Sequence, residues 1–191
     1  MTAPLREQFM RYFATRAPLM AVLSLFAVQA GSVPRPSPEL TVDMVGPGPA
    51  GKLSLSSFKG KRTVLLWFFS PTCPHCQKFT KVVSEVQKEY ASRGVQVIGV
   101  AFDTEAKLVP DFIRDYKVNY PMGYTTRDAI YAYAQHSMML RFLVPRVVMI
   151  DTNGVIQVDH SGEEVFFQGD EAKNVRASLD KVLKGGSVAK K

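Results

Sequence analysis

Cysteine is almost missing from this 191-residue chain, which has only Cys73 and Cys76. That excludes a scaffold stapled by several disulfides, and it excludes a four-thiolate zinc site. Histidine is nearly as scarce, at His75, His136 and His160. A metal site would have to combine the cysteines with a distant histidine such as His136, and no resident metal is expected. No clustered basic stripe accompanies the formal charge of +7, so a nucleic-acid surface is not expected. The mildly basic surface suits acidic partner proteins instead. No internal repeat of fixed period is present, which excludes solenoid and propeller arrays.

What is present fits one globular domain. Hydrophobic residues make up 46% and charged residues 21% of the chain, enough to build a sizeable core. Arg6, Arg11 and Arg16 precede an uncharged apolar run from Ala17 to Ala30, and a proline-rich stretch follows. This is the layout of a secretory signal. The run falls short of the ~20 residues that cross a bilayer, although counting on to Pro34 brings an uncleaved anchor within reach. A helix of the domain fits less well, because the run has no polar face. Residues 1–31 are therefore read as signal peptide or N-terminal membrane anchor, 32–49 as linker and entry strand, 50–184 as the folded domain and 185–191 as a tail. Either reading of the first segment places the domain in the periplasm or elsewhere outside the cytoplasm.

Thr63 to Phe69 is a continuous apolar run, the mark of a strand buried on both faces. Phe79, Val82, Val83, Val86 and Tyr90 recur at helical spacing, predicting a helix from Cys73 to about Arg93 that Gly94 stops. Val95 to Phe102 predicts a second buried strand. Helices are expected over Lys107–Tyr116 and Ala129–Gln135, a hairpin over Arg146–Asp151 and Val155–His160, and a last helix over Asp170–Leu183. The order implies an α/β domain: a central mixed sheet with helices on both faces, preceded by a β extension.

The two cysteines sit between the buried strand and the helix. A disulfide there closes a four-residue loop, worth only about 2 kcal/mol of chain entropy, so a structural staple is disfavoured. A reactive pair suits the position better. Unpaired N–H groups and the helix dipole favour the thiolate of Cys73, while Cys76, one turn in, is shielded. Pro74 fits the first turn of the helix. His75, when protonated, adds positive charge near Cys73. Pro145, just before a strand, lacks the N–H that a ladder needs and marks a strand start or edge.

Together "LSLSSFKGKRTVLLWFFSPTCPHC", "GVQVIGVAFD" and "FLVPRVVMIDTNGVI" resemble the thioredoxin superfamily, in its redoxin or TlpA-like branch of extracytoplasmic thiol–disulfide oxidoreductases. The resemblance covers about Glu39 to Leu183. It implies a thioredoxin-like three-layer sandwich with Cys73 as nucleophile, Cys76 as resolving cysteine, and Pro145 as a cis-proline beside Val144. The implied redox group is the Cys73–Cys76 disulfide, with no added cofactor. The implied partners are protein thiols and disulfides and a redox protein that regenerates the pair, and a monomer is expected. Related reductases keep an acid near the buried cysteine, for which Asp103 and Glu105 are the candidates. Three departures stand out. Thr72 replaces a common Trp before the first cysteine. Arg146, where Thr is common, puts a charge near the substrate path. The Pro-His dipeptide resembles DsbA-type oxidases, although only 68 residues, Gln77 to Val144, separate Cys76 from Pro145, too few for their helical insertion. A reductase is the favoured direction; an oxidase and a metal carrier are the alternatives. Leu66 and Ser70 occupy the positions where a peroxidase motif would place Pro and Thr.

Overall fold

The computed structural model describes residues 32–186. The signal-or-anchor segment and most of the expected tail lie outside the described residues. No helix among the described residues is long and apolar enough to cross a membrane.

The middle of the fold is the strand β4 (Thr63–Phe69), all seven residues of which are buried. Strand geometry sends successive side chains to opposite faces. Leu65, Trp67 and Phe69 join one core, and Val64, Leu66 and Phe68 join the other. The first core is closed by α1 (Pro74–Tyr90), α2 (Val109–Asp115) and α4 (Glu171–Gly186), through Phe79, Val83, Val86, Phe112, Val175 and Leu179. The second is closed by α3 (Arg127–Tyr133), through Ile130, Tyr131 and Tyr133, and by the N-terminal strands, through Val42 and Leu53. Each fully buried Leu, Val or Phe contributes about 1.5–3 kcal/mol, so the two-sided strand anchors both layers.

The sheet has eight strands in the order β1-β8-β7-β4-β5-β6-β2-β3. β5 (Val95–Phe102) pairs parallel with β4 and with β6 (Met122–Thr125). β7 (Arg146–Ile150) pairs antiparallel with β4 and with β8 (Val155–Ser161). The stretch read as linker and entry strand is built into this sheet. β1 (Arg35–Pro36) runs along β8, and β2 (Thr41–Val45) lies between β6 and β3 (Gly51–Ser54).

The boundaries follow local chemistry. Gly94, at φ 82°, ends the turn that follows α1, a left-handed conformation suited to glycine. The helix expected from Lys107 begins instead at Val109, after a 3₁₀ segment over Asp103–Leu108. Helix α3 begins earlier than expected, at Arg127, because the Thr126 hydroxyl caps it by accepting from the Ala129 N–H at 3.2 Å. Strand β6 has no apolar alternation and contains Gly123. A Cβ at Gly123 would lie 2.3 Å from the Asp43 carbonyl oxygen, so only glycine lets β2 pair that closely.

Candidate active site

Strand β4 delivers the chain to a tight turn, Ser70–Thr72, in which the Cys73 N–H donates to the Ser70 carbonyl at 3.1 Å. Gln77 braces the turn from the helix side through its side-chain amide, which donates to the Pro71 carbonyl at 2.9 Å. Cys73 is the N-cap residue of α1, and its sulfur accepts from the Cys76 N–H at 3.3 Å. Pro74 takes the first helical position, where no N–H is needed.

The two sulfurs have different surroundings. Cys73 is half-buried, whereas Cys76 is 0% exposed, and both are free thiols. Burial pushes the Cys76 thiol well above the ordinary thiol range. The neighbouring Cys73 sulfur and the charge of Glu105 push the same way, while a hydrogen bond from the Ser70 backbone opposes them. The Cys73 thiol also donates to the Val144 carbonyl at 3.9 Å. The Val144–Pro145 peptide is cis. The loop after β8 presses against it, since a Cβ on Gly162 would lie 3.0 Å from the Val144 carbonyl oxygen.

The two candidate acids part company. Glu105 accepts from the Ser70 hydroxyl at 2.5 Å and from the Thr72 hydroxyl at 3.5 Å. Thr72, where an aromatic shield is common, thus joins a polar cluster at the mouth of the site. Asp103 is exposed and accepts from the N–H of its neighbour Thr104 at 2.9 Å.

The expectation for Arg146 is corrected. Its guanidinium donates twice to Asp159, at 2.7 and 3.0 Å, and lies over the Phe142 ring. Asp159 also accepts from Arg35 at 2.7 Å. Arg146 alternates with Val147, which joins the core beneath α1, so the side chain leaves by the opposite face. Its charge is paired with a buried aspartate on that face.

His75 meets Glu171, 96 residues away at the start of α4, with 2.5 Å between Nε2 and Oε1. The Phe167 ring meets the imidazole edge to face, with centroids 5.6 Å apart. His136 lies in the loop after α3, in a cluster with the rings of Tyr131 and Phe142, and its Nε2 bonds the Arg141 carbonyl at 3.1 Å. No group of three or more His, Cys, Asp or Glu side chains among the described residues is placed to hold a metal ion.

The Redoxin family model matches residues 37–179. The chain belongs to the Redoxin family. As a redoxin, it is similar over 121 residues to the thiol-disulfide oxidoreductase ResA of Bacillus thuringiensis, with 27% identity covering 63% of this chain and 66% of that protein. The ResA of Bacillus subtilis is 30% identical over 94 residues, covering 49% of this chain and 52% of that protein. The chain therefore spans less than two-thirds of the length of the curated relatives it matches. Among solved structures, a thiol:disulfide interchange protein of the thioredoxin family from Chlorobium tepidum superposes with a TM-score of 0.64 at 22% identity, covering 80% of this chain and 98% of that one. A thiol:disulfide interchange protein from Bacteroides sp. also gives a TM-score of 0.64, at 18% identity, covering 85% and 95%. These likenesses establish the thioredoxin-like fold of this redoxin.

The sequence brings Cys73, Cys76, Pro74, His75, Val144, Pro145 and Glu105 to one end of the sheet, and leaves Asp103 aside. Sequence reasoning missed Ser70 and Glu171. A Ser directly after a buried strand is a usable signal for the first. Nothing local points to the second, which owes its place to the packing of α4 on α1.

Proposed function

We propose that the chain is a protein thiol–disulfide oxidoreductase working outside the cytoplasm, with Cys73 as the attacking sulfur and Cys76 as the resolving one. The observation that carries this reading is the asymmetry of the pair: a half-exposed sulfur capping a helix, and a fully buried sulfur one turn behind it. The Cys73 thiolate attacks one sulfur of a partner disulfide. The partner S–S bond breaks, a mixed disulfide forms, and the partner's other sulfur leaves as a thiolate that takes up a proton. Cys76 then gives up its proton and attacks the Cys73 sulfur. The mixed disulfide breaks, the partner's second thiol leaves, and the Cys73–Cys76 disulfide holds the two electrons' worth of oxidation taken from the partner.

Glu105 is the acid suited to accept the Cys76 proton, because it is hydrogen-bonded to Ser70 and near enough for its charge to act on Cys76. Val144 and Pro145 form the rim against which an extended partner segment lies. A second redox protein returns the pair to the dithiol. The N-terminal segment serves export or anchoring.

The reductase direction is favoured by the compact spacing of the two motifs. Cys73→Ser should abolish reduction of a model disulfide, and Cys76→Ser should accumulate mixed disulfides with partner proteins. Activity that survives Cys73→Ser would sink the reading. The equilibrium potential against glutathione decides the direction: near ~−270 mV for a reductase, near ~−120 mV for an oxidase.

A further inference from the structure

We propose that Glu171 is a positioning residue that cancels the charge of His75 and so keeps the cysteine pair reducing. The inference rests on the oxidoreductase reading above and concerns how that site is tuned.

His75 is the second residue of α1, between the two cysteines. A lone imidazolium there would stabilise the Cys73 thiolate, favour the dithiol and make the disulfide a stronger oxidant. The structure does not leave the imidazole alone. The Glu171 carboxylate faces it at 2.5 Å, and the two side chains are 34% and 19% exposed, so water only partly screens the pair. Charge counting then decides the effect. With His75 protonated the pair is neutral; with His75 neutral the pair is negative. In neither state does it offer Cys73 a net positive charge.

Glu171 is itself well supported. It lies in the first turn of α4, where the helix dipole favours a negative side chain. The Asp170 carboxylate beside it accepts from the Lys173 N–H at 2.9 Å and fixes the start of that helix. Phe167, just before α4, holds the imidazole edge-on. The C-terminal helix thus reaches over the first turn of α1 and sets its electrostatics.

The test is the redox equilibrium of the full chain with glutathione at pH 6.0, where a free imidazole is mostly protonated. Oxidised glutathione takes two electrons and two protons from the Cys73–Cys76 dithiol, giving the protein disulfide and two glutathione molecules. Glu171→Gln keeps the shape and removes the charge. It should shift the equilibrium about tenfold toward the dithiol, which for this two-electron couple is ~30 mV toward a more oxidising disulfide. Glu171→Asp, which keeps the charge, should stay within about twofold of the wild type. An unshifted or oppositely shifted Glu171→Gln would overturn the proposal, as would an equal shift in Glu171→Asp, because shape alone would then be the cause. A wild-type chain that exchanges no electrons with glutathione would instead overturn the oxidoreductase reading.

Discussion

Ser70 and Glu105, 35 residues apart in the chain, share a hydrogen bond of 2.5 Å directly beside the cysteine pair. The Ser70 backbone also tempers the rise of the Cys76 thiol, so one residue bears on both the buried thiol and the acid proposed to take its proton. Glu105→Gln should slow turnover on a model disulfide by about a hundredfold, the low side of what a positioned proton acceptor supplies. The alkylation rate of Cys73 should stay within about twofold, since the first attack does not use that acid. Unchanged turnover would remove Glu105 from the mechanism.

Burial of Cys76 makes the reduced protein sensitive to alkali. The folded state holds the thiol protonated, while the unfolded chain loses that proton above ~8.5. The raised value therefore contributes stability below ~8.5 that is lost as pH climbs past it, at about 1.4 kcal/mol per pH unit. Urea unfolding of the reduced wild type and of Cys76→Ala between pH 8.5 and 10 should show the steeper loss in the wild type. Parallel curves would contradict it.

Asp159 is only 2% exposed at its side chain and accepts from both Arg35 and Arg146. Asp159→Asn would leave two buried guanidinium groups facing a neutral amide. It should cost about 3–5 kcal/mol in urea unfolding, with Cys73 alkylation still at wild-type rate because Cys73 packs on the face of the sheet opposite to Arg146. A loss below about 1 kcal/mol would mean the cluster relaxes into water.

These cases show where sequence reading succeeds and where it stops. The buried strand over Thr63–Phe69 and the helix after Cys73 are legible because local periodicity and burial point the same way. So are the places of Cys73 and Cys76 at the start of that helix, and of Pro145 just before a strand, where its peptide with Val144 is cis. Strand β6 is not legible, because its pairing depends on Gly123 admitting the Asp43 carbonyl from a distant strand. The direction of Arg146 is legible only once Asp159 is known to lie across the hairpin. Glu105 and Asp103 cannot be told apart by spacing, since both lie in the 3₁₀ segment that follows β5.

The N-terminal strands border both sides of the sheet, β1 beyond β8 and the β2–β3 pair beyond β6. Among the described residues the outermost strands are therefore two and four residues long, and one of them carries a proline. An incoming polypeptide finds little ladder to extend by adding itself as a ninth strand. The proposed recognition of a partner segment is left to the end of the sheet, where the Val144 carbonyl and the Cys73 sulfur face each other. On that reading the arm that looks like a lead-in to the domain acts as a blinker, narrowing the approaches open to a guest chain.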